Sequence, residues 1–168
     1  KTFKVECPTT YLSTITFENG SVIRLTLSFD VIAHQRNHIE LYGDKGSMIV
    51  PDPNMFGGSV YTCKKLGDPW KEHKTSKMPL GKINIRSQSS RANESSTNAN
   101  YRGAGLAELA YSIQNKKINK CNGELSLHVL DIIQSTMTAC KNGKVQLIKT
   151  TCKKPQPFSL KEVRKILR

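Results

Sequence analysis

Hydrophobic and polar residues alternate along the first half of the chain in the way that is typical of β-strands. Residues 2–17 and 21–29 predict the two strands of a hairpin, because Asn19–Gly20 between them is a favoured two-residue turn. That turn sets a register in which Leu12, Thr14 and Thr16 face Leu27, Leu25 and Ile23. The same alternation predicts further strands over residues 37–42, 46–50, 59–64 and 70–74.

The second half of the chain changes to helical spacing. Residues 102–115 place one apolar stripe at Leu106, Leu109, Ala110 and Ile113. Residues 123–141 place another at Leu125, Val129, Ile132, Ile133, Met137 and Cys140. Asn122 is a candidate N-cap for this second helix, Gly143 a natural stop, and Ser159 with Glu162 spells the capping box of a last short helix.

The order of these elements indicates the fold class. Strands come first and helices later, with a predicted return to strand at residues 145–148. This order favours one α+β domain over residues 1–168, built on an open, mostly antiparallel sheet with helices on one face. Residues 81–100, rich in Ser and Asn, predict a long mobile loop in that domain.

The hairpin predicts a partner subunit. In the predicted register both of its faces carry large apolar groups, one of them through Tyr11, Ile15, Phe17 and Val22. We expect one face to pack against helices of the domain and the other against a second copy, which predicts a homodimer. The alternative is that these are scattered surface apolar residues, which are common.

The net charge of +13 permits a nucleic-acid partner and supplies the alternative interpretation, a basic interaction module without catalytic activity. Lysine pairs are scattered over turns and helix ends, and no interleaved aromatic residues accompany them. A lysine-rich solvated surface is therefore preferred, with no nucleic acid and no membrane as partner.

The five cysteines are odd in number and have no C-x-x-C spacing, which argues against a disulfide framework or a zinc site. No apolar run approaches the length of a membrane span, and the chain opens without a signal segment. These features predict reduced thiols and a cytoplasmic location.

Four sequence runs carry a resemblance to a known family. They are Phe17–Gly20 followed by Ser28–Asp30, Tyr42–Gly58, Arg102–Ala107 and Gly123–Leu130. In this order and spacing the chain resembles the carboxyl-terminal domain of the Gfo/Idh/MocA oxidoreductases, nicotinamide-dependent dehydrogenases of sugars, inositols and related polyols. The four runs span most of the chain.

The resemblance implies that the cofactor groups and a catalytic lysine lie in a preceding glycine-rich domain, and that a catalytic Asp/His pair lies on a helix expected before Lys1. This chain has neither the dinucleotide fingerprint nor the Glu-Lys-Pro run of that domain. We therefore expect a fragment that is inactive alone, with no cofactor of its own, whereas NAD or NADP serves the full-length enzyme. The substrate-binding residues implied here are Asp30, His34, Arg36 and Asn37; the alternative is a solvated polar loop.

Other polar residues have structural interpretations. His128, on a largely apolar helix, is expected to be a satisfied buried histidine rather than a ligand. His34 and His38 have H-x-x-x-H spacing, but in extended chain the two are roughly 13 Å apart, so no metal site is predicted. Arg102 either anchors a phosphate or carboxylate at the start of its helix or pairs with a nearby carbonyl and holds a loop.

Overall fold

A computed structural model of the chain describes residues 3–54, 56–83, 99 and 101–167. Most of the loop predicted over residues 81–100 lies outside this described part. The chain divides into two compact units, one made of Lys1–His34 with Cys121–Pro155 and the other of Gln35–Lys120 with Gln156–Arg168. Antiparallel strands and three helices confirm the predicted α+β class. In the part of the chain that the structure describes, six strands form two sheets, one in each unit.

The first unit begins with the hairpin, formed by β1 (Thr10–Thr16) and β2 (Val22–Ser28). Its predicted register is wrong by one residue, since Leu12 pairs with Thr26 and Thr16 with Val22. The reason is the turn. The N–H of Phe17 donates to the carbonyl of Ser21, so the loop holds three residues and ends on Gly20 at φ +83°.

The corrected register separates apolar from polar side chains, because a one-residue slip exchanges every facing partner. One face gathers Tyr11, Ser13 and Ile15 with Ile23, Leu25 and Leu27. The other carries Thr10, Leu12, Thr14 and Thr16 with Val22, Arg24, Thr26 and Ser28. The second face is therefore more polar than predicted.

A single long helix, α2 (Gly123–Asn142), packs against β1. Along β1 the half-buried residues alternate with exposed ones, as expected for a strand covered on one face. The predicted ends of α2 are confirmed: the Asn122 side chain accepts from the backbone N–H of Leu125, and Gly143 stands in the left-handed region at φ +67°. Part of its predicted stripe is exposed, and Leu125 and Ile132 are the half-buried members.

The strand predicted at residues 145–148 does not form. The segment has no regular secondary structure and pairs with no strand among the described residues, and Val145 and Leu147 are largely exposed. Asp131 of α2 fixes its end instead, because the carboxylate Oδ2 accepts from the N–H groups of Lys149 and Thr150 at 3.0 Å each. A side chain thus takes the place of a ladder partner.

The second unit contains a four-stranded antiparallel sheet in the order β3 (Ile39–Gly43), β4 (Gly46–Val50), β5 (Ser59–Cys63) and β6 (Lys71–Lys74). These bounds lie within two residues of the predicted ones. Gly43 pairs with Gly46 across the predicted tight turn. All four residues of the edge strand β6 are exposed, and three of them are charged at neutral pH, which discourages pairing with other chains.

Two helices complete this unit, α1 (Ala104–Gln114) and α3 (Leu160–Ile166), and they pack against each other. The predicted apolar stripe of α1 is wrong as its buried face, since Leu106 and Ile113 are about 70 % exposed (73 % and 69 %). The buried residues are Ala104, Glu108 and Ser112. The burial of Glu108 is tolerated because its carboxylate accepts hydrogen bonds from the Ser112 hydroxyl and the backbone N–H of Lys120.

Lys120 ties α3 to the rest of the second unit. Its Nζ donates to the carbonyl of Gln156 at 3.0 Å, lies 3.2 Å from the Glu162 carboxylate, and stands over the Phe158 ring. The predicted capping box is confirmed, since Ser159 and Glu162 bond each other's backbone N–H groups.

Candidate functional site

The polar residues that follow β2 begin with Asp30. Its carboxylate Oδ2 accepts hydrogen bonds from the hydroxyls of Thr9 and Thr10, each at 2.6 Å. The hairpin register places these groups together, because Thr10 pairs directly with Ser28 and the two hydroxyls lie 2.7 Å apart. The backbone N–H of Asp30 donates to the same Ser28 hydroxyl. Asp30 is therefore fixed by both strands of the hairpin.

These contacts keep Asp30 ionised. The hydrogen bond from Thr10, followed by that from Thr9, lowers the pKa of the Asp30 carboxyl below its usual value. Its other oxygen, Oδ1, accepts no hydrogen bond from the described residues. An exposed carboxylate held in this way presents one oxygen as an acceptor for a hydroxyl group.

A second polar cluster lies at the start of β3 and is centred on Glu40. The Asn37 amide Nδ2 donates to Oε1 of Glu40 at 2.6 Å, and the Tyr42 hydroxyl donates to Oε2 at 2.8 Å. Glu40 and Tyr42 are two residues apart on one strand, so both side chains project from the same face of the sheet. Arg36 supplies positive charge to this cluster.

The electrostatics of the cluster follow from these bonds. Hydrogen bonding by Asn37 and then by Tyr42 lowers the pKa of Glu40, and the charge of Arg36 adds to the effect. The Glu40 carboxylate in turn raises the pKa of the Tyr42 hydroxyl. At neutral pH Glu40 is therefore ionised, and Tyr42 keeps the proton that it donates.

The four predicted substrate-binding residues are divided between the units. Asp30 and His34 belong to the first, whereas Arg36 and Asn37 belong to the second. All four are exposed. Within the second unit Arg36 and Asn37 share Glu40 as a neighbour, and the role of all four residues in binding substrate stays a prediction.

Sequence reasoning missed the partners of these residues, namely Thr9, Thr10, Glu40 and Tyr42. The signal for Glu40 was present, because Asn37 stands three residues before it and Tyr42 shares its strand face. The signal for Thr10 was concealed by the wrong hairpin register, which places Thr10 opposite Phe29 rather than Ser28.

Arg102 holds a loop, the second of its two predicted roles. Its Nη2 donates to the backbone carbonyl of Asn54 at 3.3 Å, and its Nη1 donates to the Asn54 side-chain oxygen at 3.3 Å. The loop that follows β4 is also fixed by Asp52, whose Oδ1 accepts from the N–H of Asn54 and whose Oδ2 lies 3.7 Å from His38 Nε2. His38 thus contributes to loop structure.

His128 is hydrogen-bonded, as predicted, but it is half-buried rather than buried. Its Nδ1 lies 3.0 Å from the Thr150 hydroxyl, and that hydroxyl donates to Asp131. The Thr150 proton is already given to Asp131, so Nδ1 of His128 is the donor in the other bond. The chain of bonds joins α2 to the segment that follows it.

Across the ranges that the structure describes, no three His, Cys, Asp or Glu side chains converge in a way that would hold a metal ion. Over the same ranges, no helix has the length and apolar character needed to cross a membrane. No disulfide joins the five cysteines, all of which lie in these ranges.

Comparison with known families identifies the chain. Residues 6–147 match the model of the Gfo/Idh/MocA oxidoreductase family, C-terminal alpha/beta domain. The chain belongs to the Gfo/Idh/MocA oxidoreductase family. The match includes residues of both units and both polar clusters, and it confirms the resemblance seen in the four sequence runs. No curated protein and no solved structure matches the chain.

A nicotinamide dinucleotide does not fit the described part of this Gfo/Idh/MocA domain. Dinucleotides bind where a parallel strand passes through a glycine-rich turn into a helix. Every strand pair in the described ranges is antiparallel, and α1 follows Tyr101–Gly103, which belong to no strand.

Proposed function

We propose that this chain is the substrate-binding and dimer-forming part of an NAD(P)-dependent oxidoreductase that acts on the CH–OH group of a sugar, inositol or related polyol. The family match over residues 6–147 is the observation that carries the proposal. NAD or NADP is bound by a separate dinucleotide-binding domain, so residues 1–168 alone are inactive. The reduced cysteines support a cytoplasmic location.

The four residues proposed to hydrogen-bond a polyol are Asp30 and His34 in the first unit and Arg36 and Asn37 in the second. A polyol needs several hydrogen-bonding groups held in fixed orientations. The ionised carboxylate of Asp30, fixed by Thr9 and Thr10, serves as an acceptor for a substrate hydroxyl. Arg36 contributes donors, and His34 and the amide of Asn37 contribute both donor and acceptor capacity.

Exposed apolar side chains support the homodimer. At the base of the hairpin Phe29 is 94 % exposed and Ile32 is fully exposed. On the hairpin itself, Leu12 and Val22 are more than half exposed on the more polar face. Apolar side chains of this size are commonly covered by a second subunit when they occur together.

Saturation-transfer NMR on residues 1–168 tests substrate binding. The probes are myo-inositol and D-glucose, and the variants are Asp30→Asn and, as a matched control, Asp68→Asn, which removes one carboxylate from a turn far from Asp30 in sequence. We expect transfer to at least one polyol, lost or strongly reduced in Asp30→Asn and retained in Asp68→Asn. Absence of transfer to both polyols in the wild-type chain would refute the proposal.

A further inference from the structure

In the cluster at the start of β3, the two oxygens of the Glu40 carboxylate accept hydrogen bonds from two different side chains. Oε1 of Glu40 accepts from Asn37 at 2.6 Å, and Oε2 accepts from Tyr42 at 2.8 Å. Because the carboxylate can only accept, it fixes the Asn37 amide with Nδ2 turned inward and Oδ1 turned away. Oδ1 of Asn37 accepts no hydrogen bond within the described part of the chain.

The exposed groups around Glu40 are complementary to a hydroxyl-rich ligand. Asn37 offers a carbonyl oxygen, and Tyr42, 72 % exposed, offers a phenol oxygen whose proton is already donated to Glu40. Arg36 offers donors and balances the charge of Glu40, so the cluster suits a neutral ligand better than a charged one. A polyol has hydroxyls that both donate to the two oxygens and accept from the guanidinium.

We infer that Glu40 is a positioning residue for polyol binding, which orients the Asn37 amide and the Tyr42 hydroxyl so that their oxygens face the ligand. This inference rests on the proposed function and adds a residue to it. The role assigned to Glu40 is orientation, because each of its carboxylate oxygens accepts a hydrogen bond from one of these two side chains.

Glu40→Gln tests the inference because it changes the orientation of either the Asn37 amide or the Tyr42 hydroxyl. The new amide group has one oxygen and one donor nitrogen, and the nitrogen cannot accept from Asn37 Nδ2. The single amide oxygen stands beside either Asn37 or Tyr42, so the other of these two groups turns and presents a donor to the ligand in place of an acceptor. Loss of one ligand hydrogen bond weakens binding about fivefold to tenfold.

Glu72→Gln is the matched control. Glu72 lies in the same cross-strand row as Glu40, and the change removes one negative charge from the same face of the same sheet. Its Oε1 accepts from the Ser59 hydroxyl and has no part in the Asn37 cluster. We expect Glu72→Gln to bind the polyol as the wild type does.

A double variant provides a rescue. In Glu40→Gln with Asn37→Asp, the new amide nitrogen donates to one carboxylate oxygen and the other oxygen faces the ligand, so the acceptor returns and the net charge equals that of the wild type. The measurements are the dissociation constants for myo-inositol and D-glucose, by ligand-detected NMR, and the melting temperature of each variant.

The inference predicts weaker binding in Glu40→Gln at an unchanged melting temperature, with recovery in the double variant. Wild-type affinity in Glu40→Gln, or no recovery in the double variant, would overturn this inference while leaving the proposed function in place. No binding of either polyol by the wild type would overturn both.

Discussion

The tight turn between β3 and β4 brings Gly46 against the end of β5. Gly46 has φ +128°, and a Cβ added to it lies 2.4 Å from the carbonyl oxygen of Cys63 and 3.1 Å from the Cα of Lys64. Both are backbone atoms, so no side-chain rotation relieves the contact. Gly46→Ala must therefore displace β5 relative to β4, and we expect it to destabilise the second unit.

The loss of stability expected for Gly46→Ala has two parts. Forcing a residue with a side chain into this positive-φ region costs about 1–2 kcal/mol. Separating the backbones at the end of β4 and β5 weakens the ladder by about 1–2 kcal/mol, the contribution of one or two hydrogen bonds. The expected loss of about 3 kcal/mol is large against a typical stability of about 5–15 kcal/mol.

Gly67→Ala isolates the cost of placing a side chain at a positive φ. Gly67 lies in the same unit at φ +87°, but an added Cβ has no heavy atom within 4 Å. We expect this control to lose about 1–2 kcal/mol, from backbone strain alone.

Urea unfolding followed by the fluorescence of Trp70, the single tryptophan, measures both variants in the second unit. With a slope of about 2 kcal/mol per molar urea, the midpoint of Gly46→Ala falls below that of Gly67→Ala by about 0.5–1 M. Equal midpoints would refute the reasoning, because the close approach of the turn to β5 would then carry no energy.

Three further predictions concern the helix ends and the subunit interface. The hydrogen bonds of Ser159 lower the pKa of Glu162 to about 2, and this side chain is 45 % exposed, so its ionisation contributes about 1 kcal/mol after solvent screening. That contribution is complete above pH 5 and is lost as the pH falls through 4.5 towards 2. The difference in unfolding free energy between wild type and Glu162→Gln, measured by urea unfolding, should therefore close over this range. A constant difference would contradict the assignment. Asn122→Ala should cost about 1 kcal/mol through loss of the α2 cap, measured as amide exchange in its first turn, whereas unchanged exchange there would contradict the role of the cap. Phe29→Ser should shift the chain from dimer to monomer in light scattering at tens of micromolar, and a wild-type chain that is monomeric there would contradict the proposed dimer.

Features that depend on neighbours in sequence were predictable from the sequence. The cap at Asn122, the stop at Gly143 and the capping box of Ser159 and Glu162 each depend on hydrogen bonds within about four residues. The turn between Gly43 and Gly46 is equally local. These features appear in the structure as the sequence predicts.

Features that depend on distant partners were not predictable in this way. One additional residue in the turn shifts the register of the whole hairpin. No local sequence pattern excluded the shorter, two-residue turn that ends on Gly20. The strand expected at residues 145–148 needs a ladder partner, but Asp131 bonds its end instead. On α1 the buried face includes Glu108, because the backbone N–H of Lys120, twelve residues away in sequence, donates to its carboxylate.

The same limit applies to the candidate site. Asp30 and Asn37 were found through the family resemblance, since an exposed polar segment has no pattern of its own. Thr10 reaches Asp30 only in the correct register, so its role emerges with the structure. Glu40 lies in a strand, and the alternation of polar and apolar residues already accounts for its position, so the sequence pattern did not single it out as a site residue.

The proposal that this chain supplies the polyol side of an oxidoreductase, with the dinucleotide bound elsewhere, is tested most directly by mapping both ligands on residues 1–168. Proton–nitrogen correlation spectra are recorded while myo-inositol or D-glucose, and separately NADH or NADPH, is titrated. The account predicts polyol-dependent shifts of the backbone resonances from Asp30 to Asn37 and no saturable shifts with either dinucleotide. Micromolar dinucleotide binding, or polyol shifts that leave this segment unchanged, would contradict it.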